Sequence, residues 1–170
     1  MIKENDRLTG FHLFAYGTLR TDQPESKMFA DKLISSIPAK LQGRLYVLPE
    51  GYPILEVSSN QIIAHATADP FHDWDAAIKA NEHNGPRVNT CQDWVEGELL
   101  TLPLEQHVFD SMDAWEGFSL NKDTLYQRII TQAYDTHGKR YYCWTYTCAS
   151  SPSLPIRRLN SSHWKRPDWL

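Results

Sequence analysis

Two β-rich runs late in the chain, Tyr126 to Tyr134 and Arg140 to Cys148, flank Asp135-Thr136-His137-Gly138-Lys139. Aromatic and β-branched residues on both sides of a short Asp/Gly turn specify a β-hairpin, so any fold open to this chain contains an antiparallel sheet. In the second run Tyr142, Trp144, Tyr146 and Cys148 alternate along one face of the strand. The remaining segments are short. Phe11 to Tyr16 reads as a buried strand ending in a turn at Gly17-Thr18. Met28, Phe29, Leu33 and Ile34 fall near helical spacing and predict a helix over Ser26 to Ile34, with Pro38 as its stop. Leu41 to Val47 and Tyr52 to Val57 read as a two-strand meander around Pro49-Glu50-Gly51. Trp94 to Leu100 returns to strand character before Pro103. Leu104, Val108, Phe109, Met112 and Trp115 then recur at helical spacing, predicting a helix to about Glu116, beside Gly117.

These segments divide the 170 residues into an N-terminal extension (1–10), a domain (11–150) and a basic, aromatic tail (151–170). The least patterned stretch, 58–92, reads as an insertion in the domain, helical over Asp73 to Ala80 and broken at Asn84-Gly85-Pro86. A net charge of −4 supplies no positive field, which argues against nucleic acid as a partner. No apolar run is long enough for a membrane span or a signal segment, and the odd set Cys91, Cys143 and Cys148 contains no Cys-x-x-Cys motif. A reducing, cytoplasmic location is expected. His65, His72, His83 and His107 lack metal-ligand spacing, and Asp69, His72, Asp73 and Asp75 read as helix-cap chemistry, so neither a metal nor another cofactor is expected. The sequence does not specify an oligomeric state.

Two motifs could carry chemistry. In Tyr16-Gly17-Thr18-Leu19 a glycine and a small hydroxyl residue stand where a strand meets a turn, an arrangement that lets backbone N–H groups converge on an anion or a polarised carbonyl. In Met112-Asp113-Ala114-Trp115-Glu116-Gly117-Phe118 a carboxylate closes a helix whose spacing turns Met112 and Trp115 inward beside it. The negative end of the helix dipole and apolar neighbours both raise the pKa of such a Glu toward the range of a general base.

Together with Phe14-Ala15-Tyr16-Gly17-Thr18-Leu19-Arg20, Gly43-Arg44-Leu45-Tyr46, Gly51-Tyr52-Pro53, Val95-Glu96-Gly97-Glu98-Leu99 and Tyr126-Gln127-Arg128, these motifs resemble the γ-glutamylcyclotransferase-like (AIG2-like) family, in order and spacing from Phe11 to Cys148. The resemblance implies an α+β fold, a compact mixed β-barrel flanked by short helices with its site at the barrel mouth. It also implies a small-molecule γ-glutamyl substrate, cyclised to 5-oxoproline by attack of its own α-amine with release of an amine or amino acid. By the same resemblance Glu116 is the acid/base, the Tyr16, Gly17, Thr18 and Leu19 loop holds the γ-glutamyl unit, and Tyr126 hydrogen-bonds near the site. Arg128 is structural on this reading, and Asp113 is either a second carboxylate or a partner for arginine. Met112 and Thr18 stand where many members have Leu and Ser, changes that keep volume and hydroxyl. The 58–92 stretch and the tail lie outside the shared pattern and leave the released group open. The competing expectation is a non-catalytic binding module that uses the same pocket, or a tail whose Arg157, Arg158, Lys165 and Arg166, interleaved with Trp164 and Trp169, bind an anionic partner rather than cover the barrel.

Overall fold

The computed structural model describes residues 10–86, 93–148 and 156–170. Cys91 and most of the N-terminal extension lie outside them. Nine strands and two α-helices are formed among the described residues: β1 (Phe11–Ala15), β2 (Ser35–Gln42), β3 (Arg44–Val47), β4 (Pro53–Glu56), β5 (Ala64–His65), α1 (Pro70–Asn81), β6 (Trp94–Leu102), α2 (Gln106–Glu116), β7 (Tyr126–Asp135), β8 (Arg140–Cys148) and β9 (Arg157–Arg158). Five of the strands run β2-β6-β1-β8-β7, and β7 pairs back onto β2 at Ala39↔Asp135 and Lys40↔Tyr134, which closes a barrel. The barrel is mixed because β1 and β8 are parallel while its other neighbours are antiparallel. β5 extends the sheet beyond β7, and β4-β3-β9 forms a separate small sheet.

Strand alternation divides the apolar side chains into two clusters. Phe14, Leu41, Leu99, Ile129, Ala133 and Cys143 belong to a cluster drawn from all five barrel strands. Their neighbours Phe11, Leu13, Leu100, Ile130, Trp144 and Tyr146 point the other way and pack with Val108, Phe109 and Met112 of α2 and Ala77 of α1. Because barrel strands are covered on both faces, β7 and β8 are buried along most of their length. Closure also needs close backbone approach at Gly97, where a Cβ would lie 2.3 Å from the carbonyl oxygen of Ala15.

The hairpin forms as the turn chemistry predicts. Asp135 accepts from the N–H groups of His137 and Lys139, and Gly138 takes φ +80°. Four expectations need correction. Ser26 to Ile34 is not an α-helix; a 3-10 turn spans Pro24–Phe29, and Ile34 is 56% exposed. Phe29 is buried and Met28 and Leu33 pack on the helix-side cluster, so the apolar residues find a core without helical continuity. Pro38 is not a stop but lies inside β2, where β6 is the partner at Pro38↔Glu98 and β7 joins only at Ala39 and Lys40. A missing N–H is tolerated on such a one-sided stretch. Leu41 to Val47 is not continuous, since Gly43 divides it between the barrel and the small sheet. Finally, a tail that covers the barrel would seat both of its tryptophans there, and only one is seated. Trp164 is buried in the barrel-side cluster and donates its indole N–H to the Gly51 carbonyl at 3.0 Å, whereas Trp169 is 77% exposed.

Residues 58–86 are packed against the rest. β5 pairs with β7, Asp69 caps α1 by accepting from His72 N–H at 3.0 Å, and buried Asp73 accepts from both the N–H and the hydroxyl of Thr67 at 2.7 Å. The tail is joined by β9 on β3 and by Arg166, which pairs with Glu25 at 2.9 Å. Among the described residues no helix is long and apolar enough to cross a membrane.

Candidate active site

Topology gathers the predicted residues at one end of the barrel. β1 and β8 run parallel with Leu13 level with Trp144, so the loop that leaves β1 emerges beside Tyr146. β8 ends opposite the start of β7, at Tyr126↔Cys148, which brings Tyr126 to the same end. Tyr16 fixes the loop to β8 by donating its hydroxyl to the Tyr146 carbonyl at 2.8 Å. Beyond the loop, Thr21 gives its N–H and hydroxyl to the Glu98 carboxylate at 2.7 and 2.8 Å.

Helix α2 arrives with its C-terminus at this loop. Gly117 ends it in the left-handed region at φ +66°, and Phe118 N–H returns to the Asp113 carbonyl at 2.8 Å. Met112 is buried as its spacing predicts, but Trp115 is not turned inward. It is 44% exposed and reaches over the loop to donate its indole N–H to Thr18 Oγ1 at 3.1 Å. The apolar stripe of α2 is already filled by Val108, Phe109 and Met112, which leaves Trp115 at the rim.

The result is a cavity of about 320 Å³ lined by Tyr16, Gly17, Thr18, Leu19, Glu116 and Tyr126, together with Leu48, Tyr52, Pro53, Trp115, Leu125 and Tyr146. Sequence reasoning missed Leu48, Leu125 and Tyr146 as lining residues. Tyr146 had been visible only as a member of the alternating face of β8, and nothing local marks the others. Gly17 is required where it stands, since a Cβ there would meet Pro53 Cγ at 2.7 Å.

Glu116 makes no hydrogen bond or ion pair with any described residue. Burial pushes its carboxyl from its ordinary 4.5 up to about 7, with a smaller contribution from the neighbouring charge of Asp113. Asp113 is differently placed. Arg128 Nη1 donates to it at 2.8 Å and the Tyr146 hydroxyl donates at 2.6 Å. The Arg128 guanidinium is itself buried against the rings of Phe109, Trp144 and Phe118. Burial raises the Asp113 pKa, opposed by Arg128 and the Tyr146 hydrogen bond. Tyr126 donates its hydroxyl to the Pro53 carbonyl at 2.7 Å, and burial keeps Tyr16, Tyr126 and Tyr146 protonated by raising their pKa values.

The loop that lines the cavity with Glu116 carries the complementary groups. The backbone N–H groups of Gly17, Thr18 and Leu19, all in buried residues, have no partner among the described residues. Buried unpaired donors are costly, and three in succession beside a cavity suit a carboxylate or a polarised carbonyl oxygen. The arrangement can hold an anionic group at the loop and exchange a proton at Glu116.

An AIG2-like protein from Mus musculus superposes with a TM-score of 0.56 at 17% identity, over 92% of this chain and 89% of its own. YkqA from Bacillus subtilis superposes with a TM-score of 0.54 at 13% identity, over 91% of this chain, which spans only 39% of YkqA. At these identities the likeness is one of fold, a mixed β-barrel with few helices. No curated protein matches the sequence. The family described as "Gamma-glutamyl cyclotransferase, AIG2-like" matches residues 13–69 and 71–166. With a match over most of its length, and with the barrel and cavity just described, the chain belongs to the γ-glutamyl cyclotransferase, AIG2-like family.

Proposed function

We propose that the protein is a γ-glutamyl cyclotransferase-type enzyme that converts a small γ-glutamyl compound to 5-oxoproline and a free amine, with Glu116 as general acid and base. The observation that carries this reading is the unpaired Glu116 carboxyl, poised at about 7, in the same cavity as three unpaired backbone N–H groups.

The chemistry needs little else. The substrate brings its own nucleophile, so the site must orient it, shuttle protons from the attacking to the departing nitrogen and stabilise one oxyanion. The α-ammonium gives a proton to the Glu116 carboxylate, and the freed amine attacks the γ-carbonyl carbon. A ring C–N bond forms, and the N–H groups of Gly17, Thr18 and Leu19 steady the negative charge on oxygen. Collapse of this intermediate breaks the bond to the departing nitrogen, which takes the proton back from Glu116; the carboxylate so restored accepts the second proton of the ring nitrogen, leaving the lactam N–H, and passes it to the released amine, which departs as an ammonium. No water is consumed and nothing is oxidised or reduced. A base with a pKa near 7 suits both halves of this transfer at neutral pH.

The tyrosines have a defined part. Tyr16 and Tyr126 already donate their hydroxyl protons to backbone carbonyls. The Tyr16 oxygen also meets the Leu55 backbone N–H, which leaves the Tyr126 oxygen to accept an N–H bond of an α-ammonium beside Glu116. Asp113 acts through Arg128 and Tyr146, as the holder of α2 against β7 and β8. A reducing, cytoplasmic setting, expected from the cysteine content of the sequence, is part of this reading.

The test is product identification. Purified protein incubated with γ-glutamyl amino acids and γ-glutamyl amines should release 5-oxoproline, detected by mass spectrometry, from at least one of them. Binding of those compounds without product would replace this reading with that of a binding module.

A further inference from the structure

The cavity has an asymmetry in its hydrogen-bond donors. Tyr16 and Tyr126 donate to Tyr146 and Pro53 carbonyls, and the Trp115 indole donates to Thr18. The donors left are the N–H groups of Gly17, Thr18 and Leu19 and the hydroxyl protons of Thr18 and Tyr52, all neutral and shared by the γ-carbonyl oxygen and the carboxylate of the γ-glutamyl group itself. No Lys, Arg or His is among the described lining residues, and the charge present is that of Glu116. A second carboxylate, carried by the leaving group, would enter without a cationic partner and close to a like charge.

The mouth of the same cavity is aromatic and apolar. Tyr52, before β4, and Trp115, at the end of α2, both line it, and both are among the few large hydrophobic side chains left exposed in the described residues. Leu48 and Leu125 complete the apolar wall. Exposed aromatic surface concentrated at one cavity is the mark of a ligand with an apolar part.

From this, and resting on the cyclotransferase reading above, we infer that the released group is an aromatic primary amine without a carboxylate, gripped between Tyr52 and Trp115. The bond broken is the amide between the γ-carbonyl carbon and that amine nitrogen, which leaves with the proton held by Glu116.

Three matched substrates test it: γ-glutamyl-phenethylamine, γ-glutamyl-phenylalanine, which keeps the ring and adds a carboxylate on the carbon next to the amide nitrogen, and γ-glutamyl-methylamine, which removes the ring. The phenethylamine substrate should exceed each of the others in kcat/KM by about tenfold or more, the scale set by one unpaired charge or one lost aromatic contact. Equal or better turnover of the phenylalanine or methylamine substrate overturns the assignment of the leaving group and leaves the reaction intact. Silence on all three, together with silence on simple γ-glutamyl amino acids, overturns both. A variant that supplies the missing cation, Tyr52→Arg, should shift the phenethylamine-to-phenylalanine ratio toward phenylalanine by about tenfold, while Tyr52→Phe retains it. An unchanged ratio in Tyr52→Arg would place the leaving group elsewhere and overturn the proposal.

Discussion

Replacing Glu116 by Gln removes a carboxyl that burial holds up to about 7, and the consequence for stability can be worked out before any substrate is known. A group whose pKa is raised on folding binds its proton more tightly in the native state. The native protein is then favoured while the group is protonated and loses that advantage as pH climbs from the unfolded value, 4.5, to the folded one. The full span corresponds to up to about 3 kcal/mol, of which roughly 2–3 is expressed between pH 5 and pH 8. Gln keeps the shape and has no such term. In urea unfolding followed by fluorescence, the wild type should therefore lose about 2–3 kcal/mol relative to Glu116→Gln between pH 5 and pH 8. In thermal melts the same difference is about 5–10 °C for a chain of this size. Comparing the two proteins cancels most other titrating groups. Parallel stability curves across that pH range would refute the claim that Glu116 is held as a desolvated, unpaired carboxyl.

Three further outcomes follow from named contacts. Asp113→Asn removes the negative neighbour that helps to raise Glu116, so the Glu116 pKa should fall below about 7 in a carbon-13 titration, and a value that rises or stays put contradicts the coupling. Trp164→Ala should cost about 3–5 kcal/mol in chemical denaturation, since it empties part of the barrel core and strands the Gly51 carbonyl, whereas Trp169→Ala, at an exposed side chain, should stay within about 0.5 kcal/mol. Equal effects would contradict the assignment of Trp164 alone to the core. Gly97→Ala drives a Cβ to 2.3 Å from the Ala15 carbonyl oxygen and should destabilise by about 1–3 kcal/mol or more in the same assay; a neutral result would mean that β1 and β6 separate without cost.

What could be read in the chain was what local chemistry decides. The Asp135 to Lys139 turn dictates its hairpin because the Asp side chain and Gly138 satisfy the turn within five residues. The end of α2 was legible for the same reason, since Gly117 provides the left-handed residue that the helix terminus needs. Closure of the barrel was not. It depends on β7 returning to β2 across nearly a hundred residues at Ala39 and Lys40, and on Gly97 admitting a close crossing, neither of which leaves a periodic trace. Pro38 misled because its effect depends on which side of the strand has a partner. Within the site, the loop from Tyr16 to Leu19 and Glu116 were marked by motif. The roles of Trp115 and Asp113 were not, because spacing places a side chain on a face of its own helix without saying which neighbour claims it. Trp115 is held at the rim by Thr18, and Asp113 is engaged by Arg128 of β7 and Tyr146 of β8.

The central claim is that Glu116 carries the proton in an intramolecular cyclisation. The most direct measurement is the rate of 5-oxoproline formation by wild type and Glu116→Gln, side by side at saturating substrate, with folding of both verified by circular dichroism. Loss of a general acid and base should lower kcat by about a hundredfold or more with substrate still bound. A Glu116→Gln enzyme that turns over at the wild-type rate would contradict the mechanism, whatever the substrate proves to be.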